Sequence, residues 1–458
     1  MSQTRQDAAE LIELGDSIVR RARSAGADVA EASVHSGSHL SAKVRMHEPE
    51  LVEEAGSRAL GLRVMLGQRV AATYTSDLSD AGQRLLIEDA LELAKLSEPD
   101  EFAGPPEAAL LSSPSEWADL DTFDDSVSDI LADEALERAL TGERAAFELD
   151  SRITNSEGAS FTRARGLSAL VTSGGFAGSD VGTYASIVVT PVADDADGKK
   201  RRGHHWSAAR HYPDLESSVD VGEEAARRTL AQLGAIKLST QEIPVVFDRD
   251  AARSILGLFA GCILGGAIWR KSSYLVDRVG SEVASDLVTI VDDPLLPRGP
   301  GSRAFDGEGL LSRRNVVVEG GSLQTYLLDS YSGRKLGLDS TASASRSSSG
   351  GVSASTSNLT LQPGSISRDA LVADTKHGLY VTGMMGFGFN SVTGDFSRGA
   401  SGFLIRDGEL AEPVSEVTIS LNLNELLHRI DAVADDIDYR TSIASPTFRV
   451  SSMTLAGS

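Results

Sequence analysis

The sequence predicts an α+β protein: two N-terminal helix–strands–helix layered units, then a mostly antiparallel, β-rich C-terminal domain with a buried helix. Three observations predict it. Apolar residues recur at helical spacing over 6–25, where Ala8, Leu11, Ile12, Ile18, Val19 and Ala22 share a face and Gly26 stops the run. Alternating runs bounded by turn residues follow, as half-buried strands require. The same order of elements then returns after residue 118. A chain of 458 residues has room for roughly three such bodies.

The first unit, 1–97, continues with strands at Val29–His35, Leu40–His47, Leu60–Leu66 and Arg69–Thr75, and a helix over 77–96. The pattern places a turn at Ser36-Gly37-Ser38. Pro99, Pro105, Pro106 and Pro114 mark 98–118 as a linker. The second unit, 119–238, predicts a helix over 125–148, a turn at Glu157-Gly158, strands near 165–176 and 182–193, and a helix near 214–234. In the C-terminal domain, 239–458, strand Ile243–Phe247 leads through an Asp248 or Asp250 cap into a nearly all-apolar helix, which predicts burial. Gly320-Gly321 and Asp407-Gly408 are hairpin turns, and the Ser/Ala/Gly-rich stretch 340–358 predicts a mobile loop. A strand at Glu416–Leu421, a helix near Leu423–Val433 and a strand at Phe448–Leu455 complete the chain.

Composition narrows the function. Net charge is −23, which opposes binding to nucleic acid or an anionic membrane. The basic run Lys199–Arg202 follows Asp194-Asp195 and reads as a solvated hairpin tip. A single cysteine, Cys262, permits no disulfide framework and fits the cytoplasm. The polar N-terminus has no signal-peptide core, and the longest apolar run, Ile255–Trp269, is shorter than a membrane span.

Residues 381–405, V-T-G-M-M-G-F-G-F-N-S-V-T-G-D-F-S-R-G-A-S-G-F-L-I, are the richest in signal. Glycines at this density admit positive φ and close backbone approach. No Lys-Ser/Thr pair or helix start follows, so phosphate binding is excluded. The glycines lie between strands, as in a plain connection or in a loop lining a groove for a peptide or another subunit. Elsewhere, His204, His205 and His211 cluster without a carboxylate or thiol at ligand spacing. Cys262 lies among Ala, Gly, Ile and Leu, where burial raises a thiol pKa. No Gly-x-Ser-x-Gly elbow is present. Asp292-Asp293 and Asp435-Asp436 read as solvated pairs.

Ordered blocks then carry a family resemblance: Trp269–Leu275 (W-R-K-S-S-Y-L), Asp293–Gly299 (D-P-L-L-P-R-G), Arg303–Gly309 (R-A-F-D-G-E-G), Gln324–Tyr331 (Q-T-Y-L-L-D-S-Y), Asn358–Gly364 (N-L-T-L-Q-P-G), Asn390–Gly402 and Met453–Gly457. The chain resembles the TldD/PmbA family, in its PmbA (TldE) branch. The resemblance implies a zinc peptidase complex of two related subunits, which enclose a channel for unfolded peptides in bacterial and archaeal cytoplasm. It implies a catalytic partner with a His-Glu-x-x-x-His helix and a ligand cysteine near its C-terminus. Here the corresponding helix reads Gly257-Leu258-Phe259-Ala260-Gly261-Cys262, and Arg440–Ile443 holds no cysteine. The expectation is a non-catalytic, peptide-binding subunit with no metal of its own, zinc residing in a TldD-like partner. Arg270, Lys271, Asn390, Thr393, Gly394, Asp395 and Ser397 are the expected lining of the channel or interface. The alternative for Asp395 and Arg270 is that they make internal ion pairs that hold loops. The competing functions are a stand-alone metallopeptidase or hydrolase using His204, His205 and His211 or Cys262, and a homodimeric peptide-binding or scaffold protein.

Overall fold

The computed structural model describes residues 2–457. Helix α1 (Ser2–Ser24) leads into β1 (Val29–Arg45), β2 (Glu48–Leu66), β3 (Arg69–Thr75) and α2 (Asp80–Leu96). A single turn, α3 (Asp125–Ser128), precedes α4 (Ala132–Leu149), β4 (Ile153–Thr172), β5 (Ala177–Asp194), β6 (Lys200–Arg202), β7 (His205–Ala209) and α5 (Ser218–Leu230). The layout repeats as expected, but the two units share one seven-stranded sheet, ordered β3-β2-β1-β4-β5-β6 with β7 also on β5. They meet where β1 pairs with β4, from Glu31 opposite Thr172 to Val44 opposite Ala159.

Two expected turns are not turns. Gly37 lies in mid-strand, opposite Ser57 on one side and Gly166 on the other. With partners on both edges the backbone is satisfied by the ladder and has no reason to reverse. Gly158 instead occupies a bulge, at φ +116°, where the β4–β5 register shifts. The β1–β2 reversal falls at Met46-His47, both left-handed at φ 52° and 65°. Glu143, buried on α4, accepts the backbone N–H groups of Met46 and His47 at 3.1 and 2.7 Å and holds this strained turn. The helix expected over 125–148 is split at Asp129–Leu131.

Strand alternation sorts the faces of the sheet. Ala30, Ala32, Val34, Leu40, Ala42 and Val44 point to the helices, in one core under α1 and α2 and another under α4 and α5. The intervening Glu31, Ser33 and His35 face the C-terminal domain.

In that domain β8 (Gln241–Phe247) pairs with His377–Met385 in parallel and with Phe448–Ala456 antiparallel. Asp395–Arg406 and Glu409–Asn422 extend the sheet, and Glu409–Asn422 returns to pair with Phe448–Ala456, closing five strands into a barrel. Asp407-Gly408, at φ 52° and 85°, forms the expected hairpin turn. The helix expected near Leu423–Val433 ends at His428, and Ile430–Val433 is a strand. A five-stranded sheet around Ile290–Asp292 completes the domain. Helix α6 (Arg249–Cys262) and both sheets contribute to one core that includes Phe247, Phe259, Leu359 and Phe448.

The Ser-rich stretch 340–358 is not a mobile loop but a docked strap. Ala344–Arg346 pairs with Val352–Ala354, and the backbone of Ser348 and Gly350 lies against Gly61 of β2, where a Cβ would come within 2.8 Å of the Ser348 carbonyl. Its polarity is met internally: Thr341 Oγ1 accepts from Leu328 N at 2.7 Å and bonds Ser343 Oγ at 2.8 Å. Ser357 donates from N and Oγ to Asp292 at 2.7 and 2.8 Å, so Asp292 is buried rather than solvated. The Pro-rich segment 98–118 is docked too, with Tyr331 donating to Asp100 at 2.6 Å and Arg334 to the carbonyls of Phe102 and Gly104. No helix of the described residues is long and apolar enough to cross a membrane.

Candidate functional site

Helix α6 is placed by its cap. Asp248 accepts from Asp250 N at 2.9 Å through one oxygen and from the Tyr380 hydroxyl at 3.1 Å through the other. Ala251, Ala252, Ile255, Leu256, Phe259, Ala260 and Cys262 are buried. Not all of the helix is covered. Gly261 is exposed, and Arg253, Ser254, Gly257 and Leu258 are half-buried, a stripe at the three- and four-residue spacing of one helix face. A Cβ at Gly257 or Gly261 would meet nothing within 4 Å.

Both sides of the stripe are occupied. Arg253 donates to Thr441 Oγ1 at 3.3 Å and lies 5.5 Å from the ring of Trp206, which Arg440 also covers at 4.9 Å. On the other side, Arg398 donates to Ser254 Oγ at 3.1 Å and to the Gly386 carbonyl at 2.7 Å, which fixes the glycine-rich hairpin beside the helix. That hairpin joins His377–Met385 to Asp395–Arg406. Its glycines answer two separate demands. Gly386 and Gly394 take φ of +86° and +83°, and Gly388 lies so close to strand Asp395–Arg406 that a Cβ would sit 2.0 Å from the Ser397 carbonyl. The tip is apolar: Phe387 is 98% exposed, flanked by the exposed Met385 and Val392.

The expected site residues divide. Asn390, Thr393, Gly394 and Asp395 build one exposed loop: Asn390 Oδ1 accepts from Val392 N at 3.0 Å, and Thr393 donates to Asp395 at 2.7 Å. Asn422 Nδ2 pins the loop through the Thr393 carbonyl at 2.8 Å and Asp395 Oδ1 at 3.2 Å. The bonds from Thr393 and Asn422 hold the Asp395 carboxyl below its ordinary value. Ser397 is exposed on the adjoining strand. Arg270 and Lys271 follow a short helix, α7 (Gly265–Trp269); Arg270 lies 4.9 Å from the Trp269 ring, and no bond joins either cation to the hairpin loop among the described residues. Tyr274 N, donating to the Ser391 carbonyl at 2.8 Å, ties their segment to the hairpin. Asp395 and Arg270 do not form an ion pair with each other or with another residue among those described.

The groups that could hold a metal do not converge. His205 bonds Glu216 at 2.9 Å, and His211 bonds the Asp121 carbonyl at 2.8 Å. Cys262 turns inward from α6, fully buried, and burial pushes its thiol up to about 11. Among the described residues no group of three or more His, Cys, Asp or Glu could hold a metal ion. A further expectation concerns reactivity: a thiol-specific disulfide reagent leaves Cys262 unmodified at pH 7 in the folded protein and labels one thiol per chain in denaturant. Rapid labelling of the native protein would show that the thiol is reachable.

Sequence reasoning missed the Arg398–Ser254 link and the open stripe, because apolar composition alone does not reveal which side of a helix lacks a neighbour.

Three stretches match the domains of one family: PmbA/TldA metallopeptidase domain 1 over residues 30–94, its central domain over 125–233 and its C-terminal domain over 240–457. The chain is 38% identical over 442 residues to the metalloprotease PmbA homolog of Haemophilus influenzae, covering 96% of this chain and 94% of that protein. It is 35% identical over 430 residues to metalloprotease PmbA of Escherichia coli O157:H7, covering 94% and 92%. Among solved structures, TldE from Thermococcus kodakarensis superposes with a TM-score of 0.86 at 21% identity, covering 97% of this chain and all of that one; this likeness is one of fold.

Proposed function

The chain belongs to the PmbA/TldD metallopeptidase family, and from that premise we propose that it is the non-catalytic, peptide-holding subunit of a two-chain cytoplasmic zinc peptidase, the metal and the hydrolytic water residing in a TldD-like partner. One observation carries the reading. Helix α6 keeps two glycines, Gly257 in its interior and Gly261 in its last turn, that no described neighbour requires, since a Cβ at either would meet nothing within 4 Å. Gly257 costs the helix about 1 kcal/mol relative to alanine. A backbone laid along the helix from another molecule would require such a smooth floor. The open stripe from Arg253 to Gly261 carries no histidine, cysteine or carboxylate, which supports a role as a surface rather than a reacting group.

An extended peptide fits that surface. Phe387, Met385 and Val392, exposed together on one hairpin, offer apolar anchorage beside the floor. Main-chain recognition would read peptides with little sequence preference. Asn390, Thr393, Gly394, Asp395 and Ser397, on the hairpin, and Arg270 and Lys271, joined to it through Tyr274, are the proposed lining.

The test uses the full chain. Purified alone it should hold zinc far below one ion per chain by mass spectrometry and cleave no unfolded peptide. Mixing it with a relative bearing His-Glu-x-x-x-His should produce cleavage. Stoichiometric zinc in the isolated chain, with turnover abolished by a chelator, would replace this reading with that of a stand-alone peptidase. A pair inactive on a broad peptide panel would count against the complex.

A further inference from the structure

A recess lies where the polar face of the N-terminal sheet meets the C-terminal domain. It has a volume of about 170 Å³, and its walls include Ser33, His35, Asp180, Arg303, Asp306 and Arg346. Three of these hold a polar atom that is sealed from solvent and has no hydrogen-bond partner: Ser33 Oγ, His35 Nε2 and Arg303 Nε. Ser33 as a whole is 2% exposed. Orphaned polar atoms around one recess call for an explanation, because each carries a desolvation cost.

The other charges are already engaged. Arg346 and Arg63 share Glu31 at 2.8 and 3.0 Å. Asp306 accepts three backbone N–H groups, from Glu308, Leu310 and Ala344. Arg210 donates to the carbonyls of Gly299 and Pro300. His35 is kept toward its neutral form, by burial first and by Arg346 second. Two groups remain. The Arg303 side chain forms no hydrogen bond or ion pair within the described chain. Asp180, at the solvent-reachable mouth, keeps only a bond from the Val181 backbone. Burial pushes the Asp180 carboxyl above its ordinary value, and Arg210 first and Arg303 second act on it in the opposite sense, neither of them in an ion pair with it.

We propose that this recess between the sheet and the C-terminal domain binds a small zwitterion of the α-amino-acid class, its carboxylate on Arg303 and its ammonium on Asp180. A planar guanidinium with its N–H groups free is suited to a carboxylate. A lone anion would face Asp180 and the buried Asp306, and a lone cation would face Arg303. One molecule carrying both charges meets neither penalty. The volume suits a molecule the size of glycine or alanine and excludes a folded partner. The inference is independent of the peptide-holding role, since it concerns different residues and a different cavity.

The experiment titrates L-alanine, acetate and methylammonium into the full-length chain at constant ionic strength, read by thermal unfolding and by ligand-observed NMR. Alanine should bind saturably and raise the unfolding temperature, with acetate and methylammonium at least about tenfold weaker, the loss of one charged hydrogen-bond pair. Arg303→Gln should weaken alanine about tenfold or more. Asp180→Asn, at the accessible mouth, should weaken alanine to a similar extent but leave acetate unchanged or tighter. Circular dichroism confirms that each variant is folded. The proposal is overturned if alanine shows no saturable binding up to concentrations on the order of 100 mM, if acetate matches alanine, or if folded Asp180→Asn retains wild-type affinity for alanine.

Discussion

Glu31→Ala lowers the stability of the full-length chain by about 3–5 kcal/mol, measured by urea unfolding, because it strands two buried guanidiniums. Glu31 is 1% exposed and is the only carboxylate paired with Arg63 and Arg346 among the described residues. Arg346 comes from the Ser-rich strap, so the same change should also loosen the strap, read as faster amide exchange over 344–354. The pH dependence follows from the same group. Burial, the largest influence, pushes the Glu31 carboxyl up; Arg346 and Arg63 together outweigh it and bring it down to about 2, from an ordinary 4.5. Because the folded value is the lower one, the stabilisation is complete above about pH 4.5 and is lost as pH falls toward 2. Glu31→Gln should flatten that acid limb. A loss below about 1 kcal/mol for Glu31→Ala would mean that the arginines find water or another acid, and the triad would not be holding the strap.

Gly257→Trp and Gly261→Trp are expected to leave the fold intact and to block function. Open space surrounds both positions, and replacing an interior helix glycine removes part of its propensity cost. The indole would fill the stripe between Arg253 and the hairpin. With the metal-bearing relative present, peptide turnover should fall roughly tenfold or more, about 1.4 kcal/mol in the barrier, while the unfolding midpoint stays level or rises. Gly257→Ala is the control, raising stability by up to about 1 kcal/mol with a smaller effect on turnover. Full turnover by both tryptophan variants would remove the stripe from the peptide's path.

Much of this architecture was legible in the residues. Periodicity located α1, whose stop is written beside it as Gly26, and an apolar run behind an Asp248 or Asp250 cap located α6, which Asp248 caps. Asp407-Gly408 announced its hairpin for the same local reason. The failures share a cause. Ser36-Gly37-Ser38 and Glu157-Gly158 have turn chemistry, yet neighbouring strands from distant sequence overrode it. The strap over 340–358 looked too polar to dock, because its partners, Glu31 and Gly61, lie some three hundred residues earlier. At the candidate site, Cys262 and the glycine-rich hairpin were visible as types of residue. That Arg398 would link the hairpin to Ser254 depended on barrel closure, which no local pattern encodes.

The pairing of β1 with β4 has a consequence for biosynthesis. The inner edge of the first hairpin is complete once Arg45 has left the ribosome, yet its mate begins only at Ile153. At 5–20 residues per second that edge stands bare for about 5–20 s. A nascent chain with an unpaired edge this long invites pairing with strangers. The interval before Ile153–Thr172 emerges is therefore when this edge is most open to wrong pairing, before any peptide or subunit is met.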